Sequence, residues 1–568
     1  MNKDFINIIQ DNSYRYLEKK AFINIKDEEI IEEITYKDLM KQVIKFASYL
    51  QAYECKNQRG LIFLSPSINY IVSFLGLIFA HAIAVPAYTI KNDADYDAIK
   101  SILESSKSEF IITNNECMGK LQEYLGDKIE EICLINIDEI LASDEEYEWN
   151  KEIYSFSDIA YLQYTSGSTR NPKGVRVTYK NIISNEDIMV REFKVDSNDV
   201  LVNWLPFNYD MGLIGNILLS LYSGATCVFM KPELFMQYPI NWIKAISKYK
   251  GSIVFAPNFA YELCINNIKD EDLAGVNLSC LKYAVNGAEP TRSNTLVNFQ
   301  NKYEKYGLKR NVINACYGLA EATLAVTITE FQTEYKSKTL NPKLLEKGIV
   351  KVEEVGINVL SSGKVLEGIE LKIVNPENYT VLEEGMIGEI WVAGDSIADG
   401  YFNLESETKN TFNGEIKDRN KQYLRTGDLG FVMDNYLYVI GRVKDMIVIR
   451  GSNFYPQDIE CTVENSDKEL MGASIVAFST EIGNEERLVI LAEINNENNE
   501  IESVNYWNKI IYKIFENVVK NHKIKPHTIT LTNKNIIPKT TSGKIQRQLC
   551  KKNFINNTFK SYISKEFI

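Results

Sequence analysis

Eight short runs rich in β-branched and aromatic residues punctuate the first 330 positions: LIFLSP, AIAVPAY, FIITN, CLINI, DIAYLQYTSGS, TCVFM, SIVFAPN and LKYAVNG. Each reads as a strand, and several lead directly into helical periodicity. Strands alternating with helices specify largely parallel sheets covered on both faces. From about residue 355 the texture becomes strand-rich, in ELKIVNP, GEIWVAG and YLRTGDLGFVMDNYLYVIGRV, with Asn-Pro, Asn-Gly and Asp-Asn turns between the runs. A chain of 568 residues is longer than the ~250–300 that one hydrophobic core can serve. Two or more domains are expected, with no repeat or low-complexity linker to mark the boundary.

Charge and residue usage exclude several function classes. With 63 basic against 76 acidic residues the net charge is −13, which disfavours nucleic-acid binding through the phosphate backbone. Three histidines, His81, His522 and His527, are too few for a histidine-rich metal site or a histidine-driven triad. Nine scattered cysteines without a CxxC pair read as reduced thiols. The N-terminal MNKDFINIIQDNSYRYLEKK has no apolar core and is not a secretory signal. IVSFLGLIFAHAIAVP, Ile71 to Pro86, is shorter than the ~20 residues of a spanning helix; a buried helix running into a buried strand is expected instead. No integral membrane segment and a cytoplasmic location follow as expectations. From Lys520 to Ile568 there are eleven Lys and Arg and one acidic residue, Glu566. This basic segment reads either as a solvated face or as a surface meeting ATP or an acidic partner.

The strongest local signal is YLQYTSGSTRNPKGVRVTYKN, residues 161–181. Small hydroxylated residues around a glycine let backbone N–H groups and hydroxyls approach phosphate oxygens, and Lys173 adds a positive charge. It is not a Walker A loop, because Pro172 precedes the lysine and Gly174 follows it. TSGSTxxPKG resembles the phosphate loop of the adenylate-forming superfamily of acyl- and aryl-CoA synthetases, luciferases and peptide-synthetase adenylation domains. NGAEP (286–290), YGLAEAT (317–323), GEIWVAG (388–394), YLRTGDLG (423–430), GRVKDMIVIRG (441–451) and TTSGKIQR (540–547) follow in that family's order. WLPFNYDMGLIG (204–215), FAPNFAYELC (255–264), RGSNFYPQDIE (450–460) and a long segment after Thr329 narrow the likeness to its fatty acyl-AMP ligase branch.

The resemblance implies an α/β large domain of layered subdomains with a β-rich subdomain, about 1–441, carrying a branch-specific insertion at about 330–356. A small mobile α+β domain, about 442–568, would swing on a hinge at Lys444. The implied reaction consumes a fatty acid and ATP with Mg²⁺ and yields acyl-adenylate and pyrophosphate. The acyl group then passes to the phosphopantetheine thiol of an acyl carrier protein, a separate chain. Thr165, Ser166, Gly167, Ser168, Thr169 and Lys173 would hold the β- and γ-phosphates. Tyr317 and Gly318 would lie against adenine, whose edge meets the backbone of Gly287, Ala288 and Glu289. Asp428 would hold the ribose hydroxyls with Arg442 in support. Glu321 would ligate Mg²⁺, a hard cation that prefers oxygen. Lys544 would bridge carboxylate and α-phosphate. Tyr209, Met211, Gly212 and Phe259 would line the acyl pocket.

The sequence departs from the pattern at three positions. Arg170 stands where the loop usually has glycine, Tyr209 where WLPxxHDMG has histidine, and His81 where a small residue is usual; for His81 a packed core histidine is expected. Three alternatives stay open. An acyl-CoA synthetase shares the ATP motifs, although the insertion and the NFAY and NFYPQD strings argue against it. A peptide-synthetase adenylation domain needs an aspartate for the amino-acid ammonium, a place Asp210 could take. An inactive acyl-binding scaffold has no need of Lys173, Glu321, Asp428, Arg442 and Lys544 together.

Overall fold

In the computed structural model, the described residues are 4–90, 93–126, 132–151, 154–165, 172–417, 419–449, 452–483, 485–494, 504–539, 545–559 and 563–567. The stretch Ile71–Pro86 forms most of the helix Ile68–Phe79, in which every residue but Asn69 is buried, and then the strand Ile83–Pro86. A helix apolar all round belongs inside a core. It ends at Ala80, followed by His81 at φ 56°. The Ala82 N–H then bonds back to the Leu77 carbonyl, so histidine fills the left-handed position that usually takes glycine. The His81 ring is buried with Tyr154 5.2 Å and Tyr179 6.3 Å away, centroid to centroid. It is a packed core residue, as expected.

Two large sheets organise the N-terminal part. One has six strands in the order Cys133–Asn136, Phe110–Thr113, Arg59–Ile62, Ile83–Pro86, Ile159–Thr165, Lys173–Thr178. All its pairs are parallel except the last, an antiparallel hairpin. The other has 14 strands. Its parallel portion includes Thr226–Phe229, Val200–Asn203, Ile253–Ala256, Tyr283–Asn286 and Ile313–Gly318. Most of these strands are buried at every residue, as doubly covered parallel strands must be. Beyond Ile313–Gly318 the sheet turns antiparallel, through Ala325–Ile328, Lys364–Val365, Tyr436–Arg442, Gln422–Met433, Gly388–Gly394 and Ile369–Val374. The strand-rich texture seen from residue 355 therefore begins earlier, at Ala325.

The segment 330–356 is not featureless. Its strand Ser337–Leu340 pairs with Ile357–Leu360, and a short helix Pro342–Leu345 lies between them. Leu340, Leu345 and Val350 pack with Leu429, Phe431, Tyr438 and Ile440 of the antiparallel strands and with Tyr455.

A four-stranded sheet, Ile475–Ile482, Glu485–Glu493, Pro526–Thr532 and Ile563–Glu566, organises the C-terminal part. Its residues alternate between two apolar clusters. Ile475, Ala477, Leu488, Ile490 and Ala492 face the helices Pro456–Glu464 and Val504–His522, whereas Val476, Phe478, Val489 and Leu491 face Cys550 and Ile537. Period-2 burial on both faces gives this part a core of its own. No helix among the described residues is long and apolar enough to cross a membrane.

Candidate active site

The site lies where the large sheet changes from parallel to antiparallel. Ile313–Gly318 ends on Tyr317 and Gly318 and runs through a tight connection, which carries Glu321, to Ala325–Ile328. Gly318 is required there: a Cβ would lie 1.9 Å from the Leu324 carbonyl oxygen. A 3₁₀ turn, Ala320–Ala322, follows, and Thr323 at φ 67° holds it by donating its hydroxyl to the Ser396 carbonyl at 2.7 Å. Tyr317 and Glu321 lead from here to two different polar clusters.

The first cluster joins Tyr317, Asp428 and Arg442. The Tyr317 hydroxyl donates to Asp428 Oδ2 at 2.7 Å, and Arg442 Nε donates to Oδ1 at 3.1 Å. Asp428 and Arg442 are direct cross-strand partners, so register alone brings carboxylate and guanidinium together. The Asp428 side chain is 10% exposed and that of Arg442 66%. The Asp428 charge holds the guanidinium above its ordinary range, and burial, with Asp428 beside it, drives the Tyr317 phenol well above the usual value.

The second cluster joins Glu321, Tyr401 and Lys173. The Tyr401 hydroxyl donates to Glu321 Oε1 at 2.7 Å, and Lys173 Nζ stands 4.8 Å from the centre of the Tyr401 ring. Burial raises the Glu321 carboxyl above the usual carboxylate range, while the Tyr401 hydroxyl counteracts that. Thr165 and Lys173 are paired residues at the base of a hairpin. Ser166, Gly167, Ser168, Thr169 and Arg170, between them in sequence, lie outside the described residues.

Gly287, Ala288 and Glu289 follow the strand Tyr283–Asn286, next to Ile313–Gly318. A Cβ on Gly287 would sit 2.4 Å from Cys316 Sγ, and Ala288 takes φ 67°. Glu289 Oε1 accepts the Phe259 N–H at 2.6 Å, which places a carboxylate at the start of the helix Asn258–Asn267. Of the acyl-pocket candidates, Phe259 packs at 6.0 Å against Trp204, and Met211 is buried. Tyr209 immediately precedes the turn Asp210–Gly212, which leads into a π-helix, Leu213–Leu218. Gly212 faces backbone: a Cβ would meet the Pro206 carbonyl oxygen at 2.1 Å, so close chain crossing demands glycine at this position.

Lys444 is exposed within the 3₁₀ turn Val443–Asp445. Lys544 lies outside the described residues; on either side of it in sequence, Lys539 bridges Ile545 and the Gln546 N–H bonds to the Pro538 carbonyl. The basic C-terminal segment is not one free surface. Arg547 is half-buried between two carboxylates, Lys539 faces Glu493 at 3.8 Å, and Lys565 lies over the Tyr512 ring.

These clusters occur in a chain whose residues 9–402 match the model of the AMP-binding enzymes and whose residues 444–564 match that of the Disco-interacting protein 2-like AMP domain. It is 34% identical to the medium-chain-fatty-acid–[acyl-carrier-protein] ligase JamA of Moorena producens, over 97% of this chain and 95% of JamA. The chain belongs to the AMP-binding enzymes, in their fatty acyl-AMP ligase branch. The ligase is also 31% identical to the long-chain-fatty-acid–AMP ligase FadD23 of Mycobacterium tuberculosis, over 94% and 92% of the two chains. It superposes with a TM-score of 0.75, at 33% identity and over 99% and 98% of the chains, on the crystal structure of a fatty acyl-adenylate ligase from L. pneumophila in complex with acyl adenylate and pyrophosphate.

Sequence motifs pointed to Lys173, Glu321, Tyr317, Asp428 and Arg442 one at a time. Tyr401, which links two of them, was missed: ADGYFN offers only a Gly-Tyr pair in a turn-like context.

Proposed function

We propose that this ligase condenses a fatty acid with ATP to acyl-adenylate and pyrophosphate, and then passes the acyl group to the phosphopantetheine thiol of a separate acyl carrier protein in the cytoplasm. The observation that carries the reading is the pair of clusters reached from one strand end and the connection after it. Tyr317 leads to Asp428 and Arg442, and Glu321, four residues on, leads to Tyr401 and Lys173. An extended nucleotide lying along this seam would meet an aromatic ring and a carboxylate at its nucleoside end and a carboxylate and a lysine at its phosphate end. JamA, by name, uses an acyl carrier protein, and that partner is carried over to this chain.

In this reading Tyr317 and the Gly287–Glu289 turn bind adenine, and Asp428 accepts the ribose hydroxyls with Arg442 alongside. Thr165, the 166–169 loop and Lys173 bind the β- and γ-phosphates. Tyr209, Met211, Gly212 and Phe259 border the acyl chain. The fatty-acid carboxylate attacks the α-phosphorus; the new C–O–P linkage forms as the bond to pyrophosphate breaks. Lys544 neutralises the charge gathering between the two groups. The donor set suits Mg²⁺: one half-buried carboxylate, Glu321, beside a phosphate site. Among the described residues, no group of three or more His, Cys, Asp or Glu forms a cage for a metal. Mg²⁺ would draw off charge from the leaving pyrophosphate. The chain divides at about 441/442, a reading supported by the separate C-terminal core and by the strand ending at Arg442 before the Lys444 turn.

The test is an incubation with ATP, Mg²⁺ and a fatty-acid panel of graded chain length, adding CoA or phosphopantetheinylated carrier separately. Acyl-adenylate should accumulate alone and discharge onto the carrier. The insertion, packed between the antiparallel strands and Tyr455, is expected to hinder the reorientation that thioester formation with free CoA needs. Acyl-CoA formed as fast as acyl-adenylate would make the protein a synthetase.

Asp428→Ala is expected to weaken ATP binding about 10–100-fold, because charge-assisted hydrogen bonds contribute about 1.5–3 kcal/mol. Stability is expected to fall as well. The buried Tyr317 hydroxyl loses its acceptor, which costs about 1–3 kcal/mol. Calorimetry and denaturant titration read the two effects, and unchanged ATP affinity would reduce Asp428 to a structural anchor.

A further inference from the structure

Tyr401 holds together the two groups assigned to the phosphate end of the nucleotide, although they come from different sheets. Its hydroxyl donates to Glu321 Oε1 at 2.7 Å, and its ring face lies 4.8 Å from Lys173 Nζ. The phenol itself is fixed from several sides. The residue is 6% exposed. Its backbone bridges Val175, the Arg176 N–H bonds to the Gly400 carbonyl at 2.8 Å, and the Phe402 N–H bonds to the Gly174 carbonyl at 2.8 Å. These contacts lash residues 400–402 to the strand that begins at Lys173. Thr408 accepts the Tyr401 N–H at 2.9 Å, and the Phe412 ring meets the phenol edge to face at 5.1 Å. Gly400 allows this approach: at φ 133°, a Cβ there would lie 2.4 Å from Thr408 Cγ2.

A phenol held so firmly can impose geometry on both partners. A hydrogen bond to one carboxylate oxygen sets the plane of the carboxyl and directs the other oxygen, and an aromatic face confines an ammonium that would otherwise sample many rotamers. Lysine carries ~2 kcal/mol of rotamer entropy, so confining it in advance favours phosphate binding.

We propose that Tyr401 is a positioning residue for the adenylation step, its hydroxyl orienting Glu321 toward the nucleotide-bound metal and its ring holding Lys173 toward the phosphates. The inference rests on the assignment of Glu321 to the metal and Lys173 to the phosphates. The two functions sit on different parts of one side chain, and substitution separates them. Tyr401→Phe removes only the hydroxyl and keeps the ring with its Phe412 and Lys173 contacts. Tyr401→Leu removes both.

The experiment uses the full chain, with Mn²⁺ binding followed by EPR in the presence of a non-hydrolysable ATP analogue. Analogue binding without metal is measured by calorimetry, and the Mg²⁺ concentration for half-maximal pyrophosphate release is measured alongside. Tyr401→Phe should weaken Mn²⁺ binding three- to tenfold and raise the Mg²⁺ requirement by a similar factor, with metal-free analogue affinity unchanged. Tyr401→Leu, where it folds, should in addition weaken metal-free analogue binding severalfold. Glu321→Gln serves as the reference. If Glu321→Gln loses Mn²⁺ affinity and Tyr401→Phe does not, the positioning role is wrong while the metal assignment stands. If Glu321→Gln binds Mn²⁺ like the wild type, the assignment falls and the proposal falls with it. A Tyr401→Phe variant that lowers the rate without moving either metal titration has a packing role only, which also overturns the proposal.

Discussion

Lys544→Ala is expected to slow acyl-adenylate formation by ~10²–10³, the cost of removing one preorganised donor from a developing charge. A carboxylate attacking a polyphosphate brings negative charge toward negative charge, and a lysine at the point of contact lowers that barrier more than it assists ground-state binding. ATP affinity should therefore change far less than the rate. Stability should hold, because the flanking Lys539–Ile545 bridge and Gln546–Pro538 hydrogen bond are backbone contacts of other residues. Single-turnover acyl-adenylate formation, ATP calorimetry and a thermal melt together check this. Wild-type rates from the variant would remove Lys544 from the mechanism.

Arg547→Met should produce the largest loss of stability. The guanidinium donates to Asp445 Oδ2 at 3.1 Å, to Glu460 Oε1 at 2.6 Å and to the Ala477 carbonyl at 3.1 Å. The three side chains are between 9% and 14% exposed. Removing the cation leaves two carboxylates in a site shaped for their pairing, and breaking a buried pair from one side costs about 3–5 kcal/mol. Arg547 begins the helix Arg547–Ile555, three residues after Lys544, and Asp445 follows Lys444. The network thus ties the start of that helix to the turn read as the hinge. Hydrogen exchange should show the loss confined to the C-terminal sheet and its helices, whose apolar clusters are their own. Protection lost equally in the strands Tyr283–Asn286 and Ile313–Gly318 would refute that confinement. Adenylation should fall as well, through loss of lysine placement.

Much of this protein was legible in its amino-acid order, because local chemistry carries the signal. Period-2 and uniformly apolar runs yielded the strands, and the apolar stretch Ile71–Pro86 read as a buried helix running into a buried strand, which it is. The resemblance of its ordered motifs to the adenylate-forming family singled out Lys173, Tyr317, Glu321, Asp428 and Arg442, because each motif is a short run of particular residues that survives in the sequence itself. What the order of residues could not show is which of these groups touch. The pairing of Asp428 with Arg442 depends on strand register, and register is decided by which faces the whole sheet buries. Tyr401 reaches Glu321 and Lys173 only because its segment bridges onto the strand beginning at Lys173, 228 positions earlier. Arg547, from a segment that read as a basic surface, is half-buried because the fold sets it against the carboxylates of Asp445 and Glu460. Sequence determined the chemical groups and their local geometry, which short-range sterics and polarity set. Tertiary structure alone decided their partners, because a hydrogen bond or ion pair between distant residues exists only once long-range burial has chosen the sheet order.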